Sequence, residues 1–148
     1  MALNDPPFTI GIEEEYLFVD RETRNLAVDP PPSMIADCEA LLTGQVSPEF
    51  LRAQIEVETR VCTSVAEARA DLSHLRETVA SVANNHGMGL IAAATHPFAK
   101  WNDQQHTDKQ RYNELAQDMQ ALARRLLICG LHVHVGIEDD DLRIDLMN

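Results

Sequence analysis

Gly11-Ile12-Glu13-Glu14-Glu15-Tyr16 is the stretch whose reading decides the fold. It lies inside a run, Phe8 to Val19, in which Ile10, Ile12 and the glutamates alternate as a strand requires. Successive side chains of a strand point to opposite faces, so Glu13 and Glu15 share one face, about 7 Å apart. A carboxylate inside an otherwise apolar strand is costly unless it is paired or bound to a metal. Two readings follow. Either this is an edge strand whose acids face water, or at least one of Glu13, Glu14 and Glu15 faces inward.

Two other stretches repeat the pattern. Gly130-Leu131-His132-Val133-His134-Val135-Gly136 reads as a buried strand, because glycines and valines flank its histidines. It puts His132 and His134 on one face. Gln54-Ile55-Glu56-Val57-Glu58-Thr59 puts Gln54, Glu56 and Glu58 on one face and Ala53, Ile55, Val57, Thr59 and Val61 on the other. Imidazole binds zinc, manganese or iron, and hard cations such as Mg²⁺ take carboxylate oxygens. Three strands that offer carboxylates and imidazoles suggest a sheet lined for divalent metal. Taken singly, the histidines also fit a hydrogen-bonded core pair, and Glu56 and Glu58 the wet face of an antiparallel strand.

Outward from these strands, Leu26-Ala27-Val28 reads as a short return strand ended by Pro30-Pro31-Pro32, since proline cannot donate to a ladder. A short helix is expected over Ser33 to Leu42, and a long strand over Phe50 to Val61. Ser64 and Glu67 fit a capping box that opens a helix with the stripe Val65, Ala68, Leu72, Leu75, Val79 and Val82. Gly87 suits a left-handed stop. Met88 to Thr95 reads as a short buried strand broken by His96-Pro97. A second helix is expected from about Asp108 to Leu127, with Tyr112, Leu115, Met119, Leu122 and Leu126 on one side. The histidine strand then spans Ile128 to Ile137, and Asp139-Asp140-Asp141 opens a last helix. The order is β-β-α-β-α-β-α-β-α, without repeat or linker.

Composition narrows the function classes. With 24 acidic and 12 basic residues the net charge is −12, and no basic stripe exists to hold a phosphate backbone, so nucleic acid is not an expected partner. No apolar run reaches the roughly 20 residues that span a bilayer. Met1 to Pro7 lacks the basic and apolar regions of a signal peptide, so no membrane association and a cytoplasmic location are expected. Cys38, Cys62 and Cys129 are odd in number and lack Cys-x-x-Cys spacing, which argues for reduced thiols over a disulfide framework or zinc ribbon. There is no phosphate loop of the Walker or Rossmann kind and no Gly-x-Ser-x-Gly elbow. His96, before Pro97, is either a substrate contact or a structural turn residue. Arg111 is either an anion ligand or an ordinary surface arginine at a helix start.

With these residues in view, the chain resembles the carboxylate–amine ligases of the glutamate–cysteine ligase type 2 family, enzymes of glutamine synthetase-like fold. The resemblance rests on Gly11 to Tyr16, Gln54 to Thr59, Thr95-His96-Pro97-Phe98, Arg111-Tyr112 and Gly130 to Gly136, in that order. It implies an α+β fold, a mainly antiparallel sheet with helices packed on one face and the acidic and histidine side towards the site. Residues 1–148 would be the N-terminal portion of one catalytic domain that continues further. It implies an ATP-dependent ligase that activates a carboxylate, glutamate in the named activity, as an acyl phosphate and joins it to an amine such as cysteine, with Mg²⁺ or Mn²⁺. By the same resemblance Glu13, Glu15 and Glu56 are the catalytic group. Glu15 and Glu56 would hold one metal and Glu13 and His132 a second, Glu58 and His134 would be further ligands, and Arg111 and His96 would bind substrate. Two other readings are weighed beside it: a metal-dependent amidohydrolase built on His132 and His134, and a non-catalytic truncated piece that pairs as a homodimer through an open sheet edge.

Overall fold

The computed structural model describes residues 8–119 and 127–148. Its backbone is organised by β1 (Thr9–Asp20), which is paired along both edges. Glu13 and Glu14 each face a residue of β3 (Gln54–Glu58) and a residue of β5 (Leu131–Gly136), and Leu17 faces both β3 and β4 (Met88–Ile91). So β3 runs along one edge, and β5 and β4 follow one another along the other. A short strand, β2 (Val46–Pro48), lies outside β3, and all four pairings are antiparallel. Of the two readings of the acidic strand, the interior one holds.

The even-numbered side of β1 faces helices. Tyr16 and Phe18, with Ile55 and Val57 of β3, pack on Met34 and Cys38 of α1 (Pro32–Leu41) and on Leu72, Leu75, Val79 and Val82 of α2 (Val65–Asn85). Side chains as fully buried as Leu75 and Val79 each stabilise by about 1.5–3 kcal/mol. Ser64 caps α2 by accepting from the Glu67 amide, but the Glu67 carboxylate reaches one residue further back, to the Thr63 amide and hydroxyl. Gly87, at φ +74°, turns the chain from α2 into β4. On the odd-numbered side a second cluster gathers around Leu17, Phe50, Leu51 and Leu127, with Tyr112, Leu115 and Ala116 of α3 (Gln110–Met119) against it. That cluster closes only the Leu17 end of this face. The last helix, α4 (Asp140–Met147), is capped by Asp139 and buries no residue. No described helix is long and apolar enough to cross a membrane.

Several expected elements take a different form. The return strand at Leu26 is a single bridge to Val19. The strand expected over Phe50 to Val61 is regular only over β3. Before it, the chain turns at Leu51–Gln54 to leave room for β2, whose three residues and edge proline give no readable period. After it, the chain follows β1 irregularly, through a Cys62–Ile10 bridge. Val65, counted in the α2 stripe, is 73% exposed, because an open cavity that it lines with Ile10, Ile12 and Val133 separates it from the sheet. β4 is shorter than expected and half-buried. β5, expected to be buried, is exposed along its length, since no described residue covers its outer edge. Leu122 and Leu126 lie outside the described residues.

Glu14 is the inward-facing acid. It is buried against α2, where Arg76 and the Tyr16 hydroxyl both donate to its carboxylate. Burial alone would raise the Glu14 carboxyl, but the Arg76 and Tyr16 hydrogen bonds and the Arg76 charge outweigh it and hold the group below the ordinary range. Removing the guanidinium leaves a buried acid without its cation. Arg76→Ala should therefore cost about 2 kcal/mol at pH 8. The sign with pH is fixed. In the intact protein Glu14 stays charged well below neutrality, whereas in the variant burial raises it and protonation relieves the penalty. The stability gap between the two proteins, from urea unfolding, should narrow as pH falls from 8 towards 5.

Candidate functional site

The pairing registers assemble the odd-numbered side of β1 into rows. Directly opposed residues of antiparallel strands share a face. His132, Glu13 and Glu58 form one row across β5, β1 and β3, and Glu15 and Glu56 are opposed in the next. His134 stands opposite Gly11, and Ser47 of β2 opposite Glu56. Glu13, Glu15, Glu56, Glu58, His132 and His134 are thus brought to one face, just before that face turns apolar at Leu17.

Glu13 sits between the histidines. One of its oxygens is 3.1 Å from His134 Nε2 and the other 3.4 Å from His132 Nδ1. The two rings are 6.3 Å apart, centre to centre. Both histidines are exposed, while Glu13, Glu15 and Glu56 are half-buried and Glu58 is exposed. The crowding of like charges is strongest at Glu56. Burial, and then the charges of Glu49, Glu13, Glu58 and Glu15, push its carboxyl up to about 7. Glu15 is also raised by burial, with the Gly130 backbone amide working against the shift. Among the described residues no lysine or arginine is ion-paired with any of Glu13, Glu15, Glu56 and Glu58.

The other candidates are placed apart from this group. His96 is buried, and both ring nitrogens are engaged: Nε2 donates to the Arg24 carbonyl at 3.0 Å, and Nδ1 accepts from the amides of Ala99 and Phe98. It ties the turn after β4 to the loop that follows β1. Arg111 is exposed at the start of α3, and its side chain makes no hydrogen bond or ion pair among the described residues. Gln54 shares the face of Glu56, but it is buried and donates to the Ile128 carbonyl at 2.6 Å and to Cys129 Sγ. It thereby fixes the entry to β5. All three cysteines are free, and burial pushes the Cys129 thiol up to about 11. Glu49 was missed by the sequence reading. It lies just after Pro48, in the β2–β3 turn, where no periodicity marks it, yet its charge raises both Glu15 and Glu56.

The donors are of the kind a divalent cation takes, oxygen and imidazole nitrogen on rigid strands. Among the described residues, however, no three such side chains are already drawn around one point as a finished metal centre. Without a cation, the Glu56 charge is a cost that grows as pH rises from the ordinary carboxylate range through about 7. Glu56→Gln removes it. In protein free of divalent cations this variant should be more stable than the parent by about 2 kcal/mol at pH 8, with the gain fading towards pH 4. Thermal melts across that range check it.

The model of the glutamate-cysteine ligase family 2 (GCS2) matches residues 9–148. A protein of Rhodospirillum rubrum, named provisionally as glutamate–cysteine ligase 2, is 57% identical over 98% of this chain and 38% of its own length. One of Jannaschia sp. with the same name is 54% identical over 99% of this chain and 38% of its own. The chain therefore spans about two-fifths of the length of these curated relatives. The fold also matches solved structures. The Francisella tularensis glutamate–cysteine ligase in complex with AMP superposes with a TM-score of 0.72 at 20% identity, over 96% of this chain and 29% of that one. A bifunctional glutathione synthetase from Pasteurella multocida gives 0.70 at 14%, over 95% of this chain and 18% of that one. The acidic and histidine strands on which the resemblance rested all fall within the matched residues, and the chain belongs to the glutamate-cysteine ligase family 2.

Proposed function

We propose that this chain carries part of the active site of an ATP-dependent carboxylate–amine ligase of the glutamate–cysteine ligase type. The observation that carries the proposal is the gathering of Glu13, Glu15, Glu56, Glu58, His132 and His134 on one sheet face with no arginine or lysine paired to the carboxylates among the described residues. Family membership supplies the reaction class.

In this reading an oxygen of the substrate carboxylate attacks the γ-phosphorus of ATP. The bond to ADP breaks and an acyl phosphate forms. The amine nitrogen then attacks the acyl carbon, phosphate leaves, and the nitrogen gives up a proton to become the amide. Glutamate and cysteine are the acid and amine that the relatives' names suggest. Bringing a carboxylate to a triphosphate sets anion against anion, which bound Mg²⁺ or Mn²⁺ would offset. Glu15 and Glu56 would hold one such ion and Glu13 and His132 a second, with Glu58 and His134 as further ligands. Strand backbones fix the rows, so only side-chain rotation would be needed to bring these donors onto an ion. The exposed Arg111 would meet a substrate anion, and the buried His96 would keep the turn after β4 in place.

The test is glutamate- and amine-dependent ADP release by the complete protein that carries this sequence, with Mg²⁺ and a panel of amines. ADP should appear only when acid and amine are both present. Glu15→Ala and Glu56→Ala should each lower the rate at least about 100-fold, on the order of 3 kcal/mol, with far-UV circular dichroism melts like the parent's. Hydrolysis of an amide without ATP would favour the hydrolase reading instead, and normal rates in either variant would refute the metal assignment.

A further inference from the structure

The rows of the acidic face contain a regularity that the ligand assignment does not use. Where β5 and β1 oppose each other, each functional side chain either meets its complement or meets a glycine. Glu13 faces His132, His134 faces Gly11, and Glu15 is joined to Gly130, whose carbonyl accepts from the Glu15 amide at 3.1 Å. A side chain opposite a glycine has free space to lean into. Gly130 occupies the more crowded of the two positions. A Cβ placed there would lie 3.2 Å from a Glu15 carboxylate oxygen and 3.2 Å from His132 Cε1, with His132 Nε2 at 3.7 Å. The Glu15 carboxylate and the His132 ring therefore lean over the same missing side chain. A cavity of about 310 Å³, lined by Glu15, Ala92, Ala93, Ala94, Cys129 and Leu131, opens beside it.

The other glycines have different reasons. Gly44 and Gly87 have positive φ angles, at +76° and +74°. A Cβ on Gly136 would collide with the Thr9 hydroxyl, and one on Gly89 would press on Val19. A Cβ on Gly11 would make only an ordinary contact, 3.7 Å from His134 Cβ. Gly130 does not have positive φ, so its backbone accepts alanine. What alanine would disturb at 130 is the placement of Glu15 and His132.

We infer that Gly130 is a positioning residue: its absent side chain is the space into which the Glu15 carboxylate and the His132 ring both lean, each towards its own ligand. In the reading above these two residues belong to different metal positions, so Gly130 would set the spacing between them. The inference rests on the metal reading of this face, and the experiment separates the two.

The probe is Mn²⁺, titrated by calorimetry into the intact chain, into Gly130→Ala and into Gly11→Ala, with melting temperatures and histidine ring NMR spectra of the metal-free proteins alongside. Gly130→Ala should melt within a few degrees of the parent. It should shift the His132 ring signals while leaving those of His134 in place, and it should weaken Mn²⁺ binding at least about tenfold. Gly11→Ala should bind within about twofold of the parent. A parent that binds no Mn²⁺ would overturn the metal reading and the inference together. Equal binding by parent and Gly130→Ala, unmoved His132 signals, or a Gly130→Ala protein that fails to fold would overturn the role of Gly130 alone.

Discussion

A strand hydrogen-bonded along both edges has no freedom to choose which residues it buries. β1 is in that position: β3 holds one edge, and β5 and β4 divide the other between them. Slipping any of these registers by one residue would exchange its two faces. The alternation along Ile12, Glu13, Glu14, Glu15 and Tyr16 is therefore a fixed division of labour. Tyr16, Phe18 and the paired Glu14 go to the helices, and Glu13 and Glu15 go to the opposite side. The two packing clusters follow from this division, since Tyr16 and Phe18 anchor one and Leu17 the other.

That constraint explains how one strand can carry three consecutive acids. Glu14 is neutralised internally by Arg76, and accepts a hydrogen bond from the Tyr16 hydroxyl, under a cover of apolar side chains. Asp71, also buried on α2, is handled the same way, by the side chain and amide of Arg60 and by Gln45. The inner side thus meets each buried carboxylate with a cation and several donors. On the outer side the carboxylates face one another and two imidazoles. The contrast lies within a single strand, so it reflects which face a residue occupies and not how acidic the sequence is.

The sequence was legible wherever a period of two or 3.6 ran long enough to be read. The faces of β1 and β3, the capped α2 and the histidine pair of β5 all carry such a period, and those residues come together as expected. Short or irregular elements were not legible. β2 has three residues and a proline, and the turn that follows it brings in Glu49 with no pattern to announce it. Burial of β5 was misjudged because its valines look like core, while exposure depends on what covers a strand and not on the strand's own composition. Gln54 shared the right face, but only the tertiary contact with residues 128 and 129 shows that it is a structural tie. Gly130 was read only as a flank of the histidine strand, since a glycine's role at a site depends on what leans over it.

Charge balance is the last link between fold and chemistry. The arginine–carboxylate pairs of the described residues lie elsewhere: Arg76 with Glu14, Arg60 with Asp71, Arg52 with Asp29 and Arg143 with Asp140. Burial raises the Glu56 carboxyl, and Glu49, adding a further negative charge to a face already holding four carboxylates, pushes it further up, to about 7. A fold that matched its inner acids with arginine could have done so here, because the same strands offer positions opposite each of them. Opposite them stand His132, Ser47 and the acids themselves instead. Imidazole can donate a lone pair to a metal and guanidinium cannot, so the substitution of one for the other favours a cation from solution. A protein arginine in its place would neutralise the acids permanently, whereas imidazole leaves their oxygens open to an exchangeable cation, the arrangement on which the proposed function rests.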